Sequence, residues 1–303
     1  MNLRPRPAPE GVIVPDYALP DALCVPFSDF TIRETLETLA REAARHVGVI
    51  LICRDPVAAQ AFVARQEAPG HFGIVTGAFD TPWLRDHAPL AVRSQDGLRH
   101  IRPARFNSGR VFDAGLFGTV FPKAEQVTPV FVAGGNVVAG PEGLAVSTDA
   151  MLRENGLDSP DGLAETARLL GIRDWLILPG FDDDLSRHAD CTLRFLSPSL
   201  AALCRRRDTA QAAEVSQRIV EALQGRGLEV LELDAAAGPS GFDSPLNWVQ
   251  LGDVLLMPDF GDGQTARRMA RLEERGFSCV PIPCGTAGLG GGLHCLTASV
   301  FAG

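Results

Sequence analysis

Between Leu246 and Pro283 the chain carries a complete supersecondary unit. LNWVQL and VLLMP flank Gly252-Asp253 and read as two strands joined by a tight turn. TARRMARLEERG follows with helical spacing, and FSCVPIP reads as a further strand. Strand–strand–helix–strand is thus completed in roughly 40 residues, a length suited to repetition. Segments rich in unusual residues recur at a related spacing: Asp86 in WLRD, Gly135 in AGGN, His188 in RHAD, Asn247 in PLNW and Cys295 in LHC. The intervals are 49, 53, 59 and 48 residues; five modules of this length would fill the chain, each delivering one residue to a common centre. Repeats of this length indicate a solenoid or a radial array.

Further helix-then-strand pairs fit that organisation. FTIRETLETLAREAARH precedes VGVILIC, and PVAAQAFVARQ precedes FGIVTG. ETARLLG precedes DWLILPG, and TAQAAEVSQRIVEALQGRG precedes LEVLELD, with Gly225 and Gly227 as helix-stop signals. Residues 1–20 read as a proline-rich lead-in, and with no low-complexity linker 21–303 reads as one catalytic domain.

Charge and cysteine usage narrow the function. A net charge of −9 lacks the basic footprint that a nucleic-acid partner requires. The N-terminus lacks a signal-peptide apolar core, and no stretch reaches membrane-span length. A cytoplasmic protein without nucleic-acid or membrane partners is expected, with homo-oligomerisation left open. The seven cysteines are dispersed without a Cys-x-x-Cys pair, which points away from a zinc knuckle or a thioredoxin-type site.

Cys295 follows Gly290-Gly291-Gly292, glycines that let a ligand approach the backbone and the thiol. The alternative is a small buried hydrophobe, which is how Cys24, Cys53, Cys204, Cys279 and Cys284 are read. TPWLRDHAPL gathers Trp83, Arg85, Asp86 and His87, either a self-neutralised surface turn or a carboxylate beneath an aromatic wall suited to a flat cation. In FDDDLSRHADCTLRF, His188 and Asp190 stand two apart. On a strand they would face one site as acid/base and anionic anchor; otherwise the segment is a solvated acidic loop. AGGNVVAG sets paired glycines and Asn136 between apolar runs, as a hairpin turn also would. His188, Asp190, His87 and His294 lack a zinc-ligand spacing.

Taken together, WLRDHAPL, AGGN, RHADCTLRFLSP, PLNW and GGGLHCLT resemble, in order, the motif series of the agmatine deiminase and Porphyromonas-type peptidylarginine deiminase family. That family belongs to the guanidine-modifying, or pentein, superfamily. The resemblance spans about residues 80–300 and implies an α/β fold, a five-bladed pseudo-symmetric propeller of ββαβ modules. It also implies a hydrolase acting on linear amidines: a cysteine-dependent deiminase turning a small guanidino substrate, agmatine or an arginine derivative, into a ureido product and ammonia. An amidinotransferase, or a non-catalytic guanidine-binding protein on the same fold, uses the same residues and stays open.

By position, the resemblance makes Cys295 the nucleophile and His188 the general acid/base, with Asp86 and Asp190 gripping the guanidinium. Trp83, Asn136 and Asn247 belong to the substrate pocket. Arg110 lies where some relatives place arginines that recognise a substrate carboxylate. The intermediate is a thiouronium, and no metal or organic cofactor is expected. Three positions depart from the family pattern: Ala133 replaces an acidic residue, and Arg187 and Ala88 replace glycines.

Overall fold

The computed structural model describes residues 2–3, 11–27, 31–104, 111–121, 126–181, 184, 186–206, 208–235, 244–286 and 289–302. Five small sheets account for its strands. Each is built on one plan: an inner strand pairs antiparallel with a central strand, which pairs parallel with the strand that follows a helix. In blade 1 the inner strand is Ala298–Val300, the central strand Ala22–Pro26 and the third Gly48–Cys53. Helix Arg33–Ala43 makes the crossover, and Phe72–Thr76 extends the sheet. The last strand, Ala298–Val300, therefore closes the ring by pairing with Ala22–Pro26.

Blade 2 is Leu90–Ser94, Gly97–Arg102 and Gln126–Val127. Blade 3 is Val138–Ala139, Leu144–Thr148 and Asp174–Leu178. Blade 4 is Leu193–Phe195, Leu200–Arg205 and Glu229–Asp234, crossed over by helix Ala210–Gln224. Blade 5 is the unit read from sequence: Val249–Leu251, Val254–Asp259, helix Thr265–Glu273 and Ser278–Pro283. Gly252 closes its turn at a φ of +65°, a left-handed conformation that glycine adopts without strain.

Alternation along the central and third strands closes these blades into a ring. In Gly48–Cys53, Val49, Leu51 and Cys53 join a core shared with Val249, Leu256 and Ile282 of blade 5. Ile50 and Ile52 face the other way, toward Leu84, Leu116 and Phe117 of blade 2. In Asp174–Leu178, Trp175 and Ile177 pack with Val92 and Ile101 of blade 2, while Leu176 and Leu178 pack with Leu193 and Leu203 of blade 4. Leu200, Ala202 and Cys204 then meet Trp248 and Leu255 of blade 5. Five apolar cores thus lie between five neighbouring blade pairs. Strands buried on both faces need no polar face, which is why VGVILIC and DWLIL are near-continuous apolar runs. Each large side chain so buried contributes about 1.5–3 kcal/mol. Trp175 keeps its buried indole N–H satisfied by donating to Ser147 Oγ at 2.8 Å.

The lead-in takes part in this frame. Asn2–Leu3 pairs antiparallel with Trp175 and Leu176, and Val12–Ile13 pairs with Val92 and Arg93, so the segment covers one edge each of blades 3 and 2. Among the described residues no helix is long and apolar enough to cross a membrane.

Candidate active site

Each inner strand is entered from a tight turn on the ring axis, and the turns hold the residues singled out from sequence. Asp86 closes the 3-10 turn Leu84–Asp86 before Leu90. Gly135 lies in Gly134–Asn136 before Val138, and Asp190 in Ala189–Cys191 before Leu193. Asn247 and Cys295 precede Val249 and Ala298. The even spacing in sequence is therefore the blade repeat.

Hydrogen bonds stitch these turns together. Arg85 N donates to Cys295 O at 3.2 Å, and His294 N to Asn247 O at 3.0 Å. Gly134 packs so tightly on the first turn that a Cβ would stand 2.2 Å from Arg85 O. Gly135 marks the point of convergence. A methyl there would stand 3.0 Å from His188 Nδ1, 3.1 Å from Asp190 Oδ2 and 3.2 Å from Asp86 Oδ1. Three ionisable groups from two blades thus meet over one bare Cα.

Cys295 is buried beside them. Asn247 fixes it from both sides, its Oδ1 accepting from Cys295 N at 3.1 Å and its Nδ2 lying 3.2 Å from Sγ. Asp190 Oδ2 stands 3.5 Å from the same sulfur. The glycine run before Cys295 makes room for this packing. A Cβ on Gly291 would meet the Trp83 ring at 2.6 Å, and one on Gly292 would meet Asn247 Cβ at 2.8 Å.

The electrostatics divide the labour. Burial alone would push His188 down, but the Asp86 carboxylate, with Oδ1 3.4 Å from His188 Nδ1, leads the opposing forces that raise it to about 10. His188 is therefore cationic at neutral pH and able to give a proton. Asp190 is buried completely, and that desolvation lifts its carboxyl to about 6, despite the lowering influence of His188 and Arg194. His294 is held well below its usual range by burial and by the Arg194 and Arg85 charges, so it stays neutral. Its Nδ1 lies 2.7 Å from Asp190 Oδ2 and donates there, which orients the carboxylate. Asp190 Oδ1 is buried with no hydrogen-bond partner among the described residues. That acceptor suits a cationic N–H donor.

A cavity of about 250 Å³ opens onto the group, lined by Trp83, Asp86, Phe131, Glu154, His188 and Cys295 among others. Glu154 Oε1 is 3.9 Å from His188 Nε2, adding a second carboxylate to the wall. Nothing in the sequence around Glu154 distinguishes it. His294 does carry a signal, standing next to Cys295. Among the described residues, Asp190, Cys191 and Cys295 have ligand atoms within 4.8 Å of one another, a set able to hold a metal ion. His87 is not part of it: its Nε2 lies 3.9 Å from Asp113 in another cluster.

Several expectations need adjustment. His188 and Asp190 do not lie on a strand. His188 is extended and Asp190 sits in the following 3-10 turn, so the turn brings them to one site. Asn136 does not line the cavity; its buried Oδ1 accepts from Thr148 N at 2.9 Å and Ala189 N at 3.1 Å, locking the turn that carries His188 and Asp190. Asn247 likewise holds the nucleophile and, like the fully buried Asp190, is absent from the wall. Arg110 lies outside the described residues. Arg187, where the family has glycine, adopts a φ of +53°, the left-handed region glycine favours. Asp184 Oδ1 supports it by accepting from Arg187 N at 2.8 Å.

The fold recurs in solved structures. C. jejuni agmatine deiminase superposes with a TM-score of 0.82 at 18% identity, covering 96% of both chains. The agmatine deiminase of Enterococcus faecalis gives 0.80 at 15% identity, covering 98% of this chain and 99% of its own. A cyanobacterial arginine dihydrolase gives 0.60 at 14% identity, with 94% of this chain matching 39% of that one. Comparison with curated protein sequences returned no match. The family described as Porphyromonas-type peptidyl-arginine deiminase matches residues 27–300, and with the five-bladed ring and its axial Cys-His-Asp cluster in place, the chain belongs to that family.

Proposed function

We propose that the protein is a cysteine-dependent guanidine iminohydrolase that releases ammonia from a guanidino substrate and leaves a ureido product. The observation that carries this reading is the convergence over Gly135 of cationic His188 with Asp86 and Asp190, beside the Cys295 sulfur. Two carboxylates bind a planar guanidinium through charge-assisted hydrogen bonds and set its carbon against sulfur. The Cys295 thiolate attacks that carbon, forming a C–S bond and a tetrahedral adduct. The C–N bond to a terminal nitrogen then breaks, and His188 supplies the proton with which ammonia leaves. Neutral His188 next takes a proton from water, whose oxygen adds to the thiouronium carbon. Cleavage of the C–S bond then frees the ureido product and restores the thiolate, the adduct's hydroxyl proton passing to solvent.

The cavity wall favours a particular substrate type. Among the described residues it holds the carboxylates of Asp86 and Glu154, and His188 is its one cationic side chain. A substrate with a second cation, such as agmatine, fits that wall better than one with a free carboxylate. Relatives of the same fold include C. jejuni agmatine deiminase, also seen as a Cys-to-Ser variant with substrate bound. The test is a panel of agmatine, arginine, guanidinobutyrate, methylated arginines and arginine peptides, scored for ureido product and ammonia with and without an acceptor amine. Agmatine should turn over fastest and irrespective of amine. Transfer of the amidino group to the amine would reassign the reaction. Cys295→Ala should abolish turnover in a folded protein; undiminished ammonia release would remove Cys295 from the reaction.

A further inference from the structure

The reaction leaves Cys191 unused, yet its thiol lies beside the nucleophile. Cys191 Sγ and Cys295 Sγ, with an Asp190 oxygen, are all within 4.8 Å of one another. Asn247 Nδ2 bridges the two sulfurs, at 3.5 Å from Cys191 and 3.2 Å from Cys295. Cys191 is of intermediate exposure as a residue but its thiol is buried, as is Cys295, which lines the cavity. The other five cysteines lie elsewhere: Cys24, Cys53, Cys204 and Cys284 are buried in the cores between blades, and Cys279 packs against one of them.

We propose that Cys191 and Cys295 form an oxidation site in which Cys191 resolves the oxidised nucleophile as a reversible disulfide, protecting it from irreversible damage. The oxidant class is a peroxide. The Cys295 thiolate attacks hydrogen peroxide, the O–O bond breaks, and Cys295 becomes a sulfenic acid while hydroxide leaves and is protonated by solvent. Cys191 sulfur then attacks the sulfenic sulfur. The S–O bond breaks, the S–S bond forms, and the oxygen departs as water with the Cys191 proton. A disulfide needs the sulfurs about 2 Å apart, so the remaining approach is under about 3 Å, the scale of a side-chain rotation. Contact with Cys295 first, then burial and the nearby Asp190 and Asp184 carboxylates, hold the Cys191 thiol well above its usual range. In the second step the Cys191 proton passes to the departing oxygen as its sulfur attacks.

The inference rests on Cys295 as the reactive sulfur, but its main readout is a covalent bond that needs no turnover. The full-length protein is treated with limiting hydrogen peroxide and mapped by non-reducing tryptic mass spectrometry. Residues 188–194 should be recovered cross-linked to the peptide 276–303, about 2 Da lighter than the two thiols together. Cys295→Ala should abolish that species, which separates Cys295 from Cys279 and Cys284 on the same peptide. Wild-type activity should fall at least tenfold and return with dithiothreitol. Cys191→Ser should start with unchanged activity, lose it on peroxide, and fail to recover as Cys295 gains about 32 Da as sulfinate. An absent 191–295 cross-link, or a Cys191→Ser protein that recovers as well as wild type, would overturn the proposal. A cross-link in a protein inactive toward every guanidine would leave the pairing standing and sink only the deiminase reading.

Discussion

Gly135→Ala isolates the geometric core of the argument. Gly135 has no positive φ, so alanine is compatible with its backbone and the only new object is one methyl. That methyl would stand 3.0 Å from His188 Nδ1, 3.1 Å from Asp190 Oδ2 and 3.2 Å from Asp86 Oδ1, each nearer than an ordinary contact. Relief requires shifts of a few tenths of an ångström, but in three catalytic side chains together. Overpacking of this kind costs about 1–3 kcal/mol, which in a chain of this size lowers Tm by several degrees. Activity should suffer more, because displacement of reacting groups by about 1 Å can cost on the order of 100-fold. The same methyl would also crowd the position of a bound guanidinium. We expect a folded protein with a kcat/KM for the best guanidine lowered at least about tenfold, measured by ureido product beside a thermal melt. Gly70→Ala is the control, since a Cβ there meets nothing within 4 Å. Wild-type kcat/KM in Gly135→Ala would falsify the placement of the three groups over this Cα.

Other substitutions test the supporting structure. Asn247→Ala removes the amide that contacts both Cys295 N and its sulfur; kcat should fall at least tenfold with a stability loss of about 1–3 kcal/mol, read by urea titration. His188 is raised from 6.5 to about 10, so its stabilisation is complete below pH 6.5 and is lost as pH rises through 10, by at most about 5 kcal/mol. Asp86→Asn removes the principal raising charge, so that loss should move to lower pH in denaturation curves; an unmoved curve would discount the pair. Asp190 is read by ligand binding instead. Raised to about 6, it is uncharged below that pH, so a guanidinium should bind more tightly as pH climbs through 6, seen as a falling Kd by calorimetry. Arg187→Gly relieves a φ of +53° and should leave stability unchanged or improve it by up to about 1 kcal/mol in thermal melts.

Much of the architecture was legible because blade formation is local. The 249–283 unit declared itself through two apolar runs, a Gly252 turn and a helical repeat, each set by neighbours within a few residues. The site was legible differently. Asp86, His188, Asp190 and Cys295 drew notice as unusual residues beside glycines and turns, and the axial turns are where the fold needs such residues. Glu154 carried no such mark, since it ends an ordinary short helix and reaches the cavity only through the packing of blade 3. From sequence Asn136 reads as a pocket residue because it shares a turn with Gly135, which lies beside the ionisable cluster. A fully buried amide answering Thr148 and Ala189 cannot be told from an exposed one without the partner turn.

Short stretches of sequence set the module, its repetition and the chemical types that reach the centre. These depend on periodicity, turn residues and intrinsic reactivity, which are properties of short stretches. Only the tertiary structure decided which atoms face one another. His188 becomes cationic because Asp86, about 100 residues away in the chain, closes on its ring. Asp190 is oriented by His294, and Cys191 comes to lie beside Cys295, from separate blades. Such pairings arise when five blades close on one axis, and both protonation states and reactivity are set by those contacts across the ring.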